Sequence, residues 1–152
     1  MIIDADLSLC LVTTTAGVIS IGPQAETTVA THVSDQVIDL THIPRTIIEN
    51  CYFVFQCVVV PATTGGTFQI DLDVSAAVGL TTPTHLWSSG TLIEATIEAW
   101  VANTTIYAFK MSPYLPLRYL GCNYTIGTAA LTAGSWRAFF TPDVPYPIAA
   151  TP

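Results

Sequence analysis

A strict two-residue alternation constrains this chain more than any other feature. In Phe68-Gln69-Ile70-Asp71-Leu72-Asp73-Val74 the apolar residues hold every even position and the polar ones every odd position. That is the signature of a strand with one buried face. Leu120, Cys122, Tyr124 and Ile126 repeat it opposite Tyr119, Gly121, Asn123 and Thr125. Ile93, Ala95, Ile97, Ala99 and Val101 make one face of a third run, with Glu94, Thr96 and Glu98 on the other. The apolar run Cys51–Pro61 precedes Gly65-Gly66, and the glycine pair predicts a hairpin joining that run to Phe68–Val74. Shorter strands are expected at Leu7–Val12, Gly17–Ile21, Gln36–Leu40, Thr105–Lys110 and Ser135–Phe140, whereas Thr13–Ala30 reads as a long loop with one short strand. No helical period runs beyond a turn or two. Eight or nine short strands punctuated by Gly, Pro and Asn predict an all-β chain. The expected fold is a single-domain antiparallel β-sandwich or jelly roll over residues 1–152. Its expected extensions are an N-terminal segment, 1–6, and a Pro-rich C-terminal arm, 141–152, too rich in proline for a central strand.

Charge narrows the function. Only 10% of the residues are charged, against about 25% in a typical soluble domain, while 51% are hydrophobic. Such a chain is too apolar to be disordered. Four Lys+Arg against eleven Asp+Glu give a net charge of −7, and four scattered cations cannot neutralise a run of phosphates. Nucleic acid is therefore not an expected partner. Nor is a membrane: the longest apolar runs, Cys51–Pro61 and Leu92–Ala102, fall short of the roughly 18–20 residues a spanning helix needs and carry Gln56, Glu94 and Glu98. Met1–Asp6 offers two acids where a secretory leader would turn apolar, so synthesis in a cytoplasm is expected.

Motifs of catalysis are absent from the sequence: there is no GxSxG, GxGxxG or P-loop pattern, and His32, His42 and His85 have no metal-ligand spacing. Cys10, Cys51, Cys57 and Cys122 form no CxxC pair; Cys51 and Cys57 lie about 20 Å apart along one strand, which predicts buried free thiols. Glu94 and Glu98, four apart on a strand, stand about 13 Å apart, beyond either glycosidase geometry. Asp71 and Asp73 share a strand face with Gln69 and form an acidic strip, either a solvated face or a place for a cation or basic partner. Two sequons, at Asn103 and Asn123, read as chance matches.

Three segments carry a resemblance. The opening Met1-Ile2-Ile3-Asp4-Ala5 is one. Gly66–Asp73, with Pro83-Thr84-His85-Leu86-Trp87-Ser88-Ser89-Gly90, is a second. Leu117-Arg118-Tyr119-Leu120-Gly121-Cys122-Asn123-Tyr124-Thr125-Ile126-Gly127, followed by Leu131-Thr132-Ala133-Gly134, is the third. In order and spacing they resemble the jelly-roll capsid cement (decoration) proteins of short-tailed bacteriophages, the Bordetella phage cement protein family. Gly121-Cys122 departs from that family's more common Arg-Leu. The resemblance implies a structural virion protein without cofactor or catalysis. It would bind the outer surface of an assembled capsid and cement neighbouring major capsid protein subunits. A homo-oligomer, dimer or trimer, on capsid symmetry axes is implied.

A sparsely charged, Thr-rich, apolar chain independently suits permanent protein–protein interfaces. Candidate contacts are Met1, Ile2, Ile3 and Asp4 at the N-terminus, the acidic Asp71 and Asp73, and Pro142, Asp143, Pro145 and Tyr146 in the C-terminal arm. Arg118 is a candidate for an internal or intersubunit ion pair. The alternative is a carbohydrate-binding β-sandwich of receptor-binding type, for which Trp87, Trp100, Tyr107 and Tyr119 would serve as platforms.

Overall fold

The computed structural model describes residues 7–10, 12–15, 18–111 and 114–142. Among the described residues, eleven strands and two single-turn helices follow in order. They are β1 Val12–Thr15, β2 Val18–Ile21, β3 Ala30–Val33, β4 Ile38–Asp39, α1 Arg45–Glu49, β5 Tyr52–Thr63, β6 Thr67–Ser75, β7 Thr84–Ser88, β8 Leu92–Ile93, α2 Glu94–Ile97, β9 Thr104–Lys110, β10 Tyr119–Gly127 and β11 Leu131–Thr141. Every strand pair is antiparallel. One sheet runs β3-β10-β6-β7, with β4 added to β10 and β8 to β6; the other runs β11-β5-β9, and β1 and β2 form a separate hairpin.

The alternating runs explain the sandwich. Phe68, Ile70, Leu72 and Val74 of β6 and Leu120, Cys122, Tyr124 and Ile126 of β10 turn one face inward, and all are buried. Phe53 and Phe55 of β5 and Trp136, Ala138 and Phe140 of β11 meet them from the opposing sheet. Rings interlock across the layer: Phe68 and Trp136 lie 4.7 Å apart between centroids, and Tyr124 and Trp136 5.3 Å. These are favourable aromatic separations. The four cysteines are free and buried, as their spacing predicts.

Two expectations fail for physical reasons. The runs on either side of Gly65-Gly66 do not form a hairpin; β5 and β6 belong to opposite sheets, so the glycines carry the chain across the sandwich. The crossing is tight. A Cβ at residue 66 would collide with the Thr63 side chain and come within 2.9 Å of the Ala129 carbonyl. The run from Leu92 to Ala102 is not a strand: it breaks after Ile93 into α2. Glu94 and Glu98 use this turn to reach the crossover, Glu94 Oε2 accepting from Gly65 N at 2.7 Å and Glu98 Oε1 from Thr63 N at 3.1 Å. Their carboxylates cap backbone donors rather than line a strand face.

Two smaller differences concern the first thirty residues. Leu7–Cys10 is not a regular strand but lies along β11, with Ser8 opposite Phe139 and Leu9 N donating to Ala138 O at 2.9 Å. The Thr-rich region that follows holds two strands, β1 and β2, and Gln24 then bridges Trp136.

Candidate functional site

The register of the larger sheet puts Asp39, Ser75 and Tyr119 in one row, Asp73 beside Gly121, Asp71 beside Asn123, and Gln69 beside Thr125. These polar residues face away from the core. The sequence leaves this strip as either a solvated face or a place for a cation or basic partner; the structure overturns the solvated face, since Asp71 is 5% exposed and Asp73 0%. Asp73 accepts from Asn123 Nδ2 at 2.6 Å and shares a hydrogen bond with His85 Nδ1 at 2.5 Å. Burial pushes its carboxyl above the ordinary value, against the pull of Asn123 and His85. Gln69 Nε2 covers both Asp71 oxygens at 3.0 and 2.9 Å and is itself fixed through Oε1, which accepts from Thr91 at 3.2 Å. Leu80, from the loop after β6, packs over Gly121, with Ser34 and Val37 beside it. The strip is an internal network; Asn123, one of the two sequons, is buried within it.

The second polar centre is Asp39, which sequence reasoning missed. Arg118 grips it as a fork, Nε to Oδ1 at 3.0 Å and Nη2 to Oδ2 at 2.6 Å. Thr41 adds its backbone N–H at 3.0 Å and its hydroxyl at 2.8 Å, and His42 Nδ1 stands 3.5 Å from Oδ2. The Arg118 and Thr41 hydrogen bonds hold the Asp39 carboxyl well below the usual carboxylate range. The guanidinium also lies 4.9 Å above the Tyr119 ring, a cation–π distance. The available signal was Asp39-Leu40-Thr41, an aspartate two residues before a threonine, which suits an Asx turn.

Asp39 belongs to the end of the sandwich that carries α1, and the Leu7–Cys10 segment and the close of β11 come together there. Ser8 pairs antiparallel with Phe139, so the chain comes into Leu7 from the side on which β11 ends at Thr141. Thr141 pairs with Tyr52, and Tyr52 with Lys110, immediately after α1. Three of the four Lys+Arg residues lie at this end: Arg45 in α1, Lys110 at the close of β9, and Arg118. Ile47 (47%) and Tyr114 (68%) stand exposed among them. An open hollow of about 320 Å3 lies beside Asp39, lined by Ser8, Gln36, Val37, Ile38, His42 and Ile43. Pro142 is exposed where the described chain stops. Met1, Ile2, Ile3, Asp4, Asp143, Pro145 and Tyr146 lie outside the described residues.

The aromatics named for sugar binding are engaged in packing. Trp87 lies 5.0 Å from Tyr107 and 5.1 Å from Phe109, and Trp100 rests edge-on against Phe55 and Phe68. Trp87, Trp100 and Tyr107 are all half-buried against the core. Among the described residues no group of three or more His, Cys, Asp or Glu side chains is placed to hold a metal ion. Among them, too, no helix is long and apolar enough to cross a membrane.

Comparison with known proteins gives one family. The family model described as Bbp16 matches residues 23–140. No curated protein matches the chain.

Proposed function

Because the chain belongs to the phage-associated Bbp16 family, we propose that it is a structural virion protein that cements the capsid. In this reading it binds the outer surface of the assembled shell, bridges neighbouring major capsid protein subunits, and docks through the α1 end. It works as a homo-oligomer, dimer or trimer, on capsid symmetry axes, after synthesis in the host cytoplasm. Its sandwich would have the jelly-roll connectivity that the resemblance implies.

One observation carries the reading. The chain comes into the fold and leaves it at the same end, where three of its four cations and two exposed apolar side chains also lie. Leu7 and Pro142, where the described residues begin and end, thus give onto one side of the body, the side on which a lattice contact through both ends of the chain would lie. With Arg118 paired to Asp39, Arg45 and Lys110 are the cations this end would offer to an acidic patch on a partner. Binding only to the assembled lattice stabilises that lattice by mass action.

The test is co-sedimentation of the purified chain with expanded, undecorated shells of its cognate major capsid protein, with unassembled subunits as the control. Saturable binding to shells and not to subunits is expected. Arg45→Glu combined with Lys110→Glu should weaken it severalfold. A folded protein that ignores the shells overturns the proposal.

A further inference from the structure

The edges of the two sheets are not treated alike. β11 is covered on its outer side, where Ser8 pairs with Phe139 and Gln24 with Trp136. At β3 the Gln24 side chain takes the edge, its Nε2 donating to Val33 O at 3.0 Å and its Oε1 accepting from Asp35 N at 3.2 Å. β7 is only five residues long and follows Pro83. Covering and shortening both blunt an edge. β9 has lesser guards, a bulge at Ile106 and the terminal Lys110, and Tyr107–Lys110 keeps regular register from Phe55↔Tyr107 to Tyr52↔Lys110. Among the described residues no strand pairs with its outer side. Its Thr, Ile, Tyr, Ala and Phe residues make a composition that readily accepts a further strand.

Charge decides which strand suits it. Of the eleven Asp+Glu residues none falls in β5, β9 or β11, whose charges are Lys110 and Arg137 alone. In a body of net charge −7 this is the sheet that two copies can bring together without setting acid against acid. We infer that β9 pairs antiparallel with β9 of a second copy about a two-fold axis at Ala108, so that β11-β5-β9 continues through the same three strands in reverse. The inference deepens the cement reading, on which it rests for the homo-oligomer, by naming the contact. Its register follows from the faces. Tyr107 and Phe109 pair with the inward Phe55 and Phe53 and turn inward with them, whereas Ala108 and Lys110 turn outward. An axis at Ala108 keeps like faces together and sets Tyr107 of each copy opposite Phe109 of the other, an aromatic cross-strand pair made twice. It also holds the two Lys110 residues about 14 Å apart along the strands. The contact is isologous and closed. Antiparallel pairing turns the two α1 ends in opposite directions, so one dimer would reach two shell subunits.

The experiment is sedimentation velocity on the full-length chain over a range of concentrations, joined to mild oxidation of Ala108→Cys with covalent dimer scored. Directly opposed residues on antiparallel strands have Cα atoms about 4.5–5.5 Å apart, within disulfide reach, and the four native thiols are buried. Ala108→Cys should cross-link about tenfold faster than Val78→Cys, which is 61% exposed in the loop after β6, because pairing raises the effective concentration of the thiols. Ala108→Glu should dissociate the dimer, and so should Ala108→Lys, by setting like charges together at the axis. Mixing the two variants should restore it, and that rescue separates a lost contact from a lost fold. An unaltered chain that stays monomeric at every concentration overturns the inference, as does an Ala108→Cys rate equal to that of Val78→Cys. So does amide protection of β9 that appears only on shells, which gives the edge to a strand of the shell protein. Shell co-sedimentation keeps the two levels apart. A monomer that binds shells overturns this inference and leaves the cement reading standing, and a dimer that ignores them does the reverse.

Discussion

Leu80 lies so close over Gly121 that a Cβ at residue 121 would come within 2.9 Å of Leu80 Cδ1 and 3.1 Å of Ser34 Oγ. Leu80 is 3% exposed, so the loop after β6 is pinned to the outer face of the sheet by the absence of a side chain. Gly121→Ala is therefore expected to cost about 1–3 kcal/mol by overpacking, and Gly121→Arg more, with the loop displaced. Urea unfolding measures the first, and faster amide exchange across residues 76–83 reports the second. An unchanged midpoint for Gly121→Ala would show that Leu80 gives way freely.

The Asp39–Arg118 fork sets an acid limit. Asp39 has its folded value depressed, so its contribution to stability is complete above the unfolded value, about pH 4, and is lost as pH falls below it. Stability measured between pH 5 and pH 2 should fall less steeply in Asp39→Asn than in the unaltered protein. Equal slopes would mean that the fork contributes nothing to folding.

Asp73 has the opposite sign. Its folded value is raised, so the folded state holds the extra proton and this group's contribution declines as pH rises through the raised value. His85 works against that shift. Carboxyl NMR should show Asp73 titrating above the ordinary range, and higher again in His85→Ala. The same substitution should cost about 1–3 kcal/mol at neutral pH, by leaving a buried carboxylate one donor short.

Glu98 caps the Thr63 amide across 35 residues of sequence. Glu98→Ala leaves that donor unmatched in a site where Thr63 is 6% exposed, at a cost of about 1–3 kcal/mol. Hydrogen exchange at Thr63 should quicken, and Glu98→Gln should restore most of the protection.

The thiols should be silent in the native protein. All four are buried, and desolvation pushes Cys57 up to about 11 and Cys122 well above its ordinary value. Thiolate is the reactive form, so a disulfide reagent should titrate no cysteine in the folded protein and four after denaturation.

Where one strand decides its own environment, the sequence was informative. The alternation of Phe68–Val74 and of Leu120–Ile126 gave the inward face of β6 and β10 correctly, because period two needs no knowledge of the partner strand. What depended on a distant segment was hidden. Gly65-Gly66 suits a hairpin and a crossover equally; β5 pairs instead with the distant β9 and β11, and Glu94 and Glu98, about thirty residues on, accept from the crossover's backbone. Asp71 and Asp73 look like a solvated strip until Gln69, His85 and Asn123 close over them from three strands. Arg118 was singled out as scarce, but its partner Asp39 lies 79 positions away.

The convergence of Leu7 and Pro142 on one end also bears on how this body would carry force. The Leu7–Cys10 segment and β11 lie side by side and both give onto the α1 end, and β11 is laddered to β5 along nearly its whole length, from Leu131↔Thr63 to Thr141↔Tyr52. Tension drawn through Thr141 and Pro142 would pull β11 lengthwise against β5, loading the ladder's hydrogen bonds together in shear instead of peeling them one at a time. A subunit tethered this way would resist detachment by a straining shell most strongly along the axis of its two longest strands.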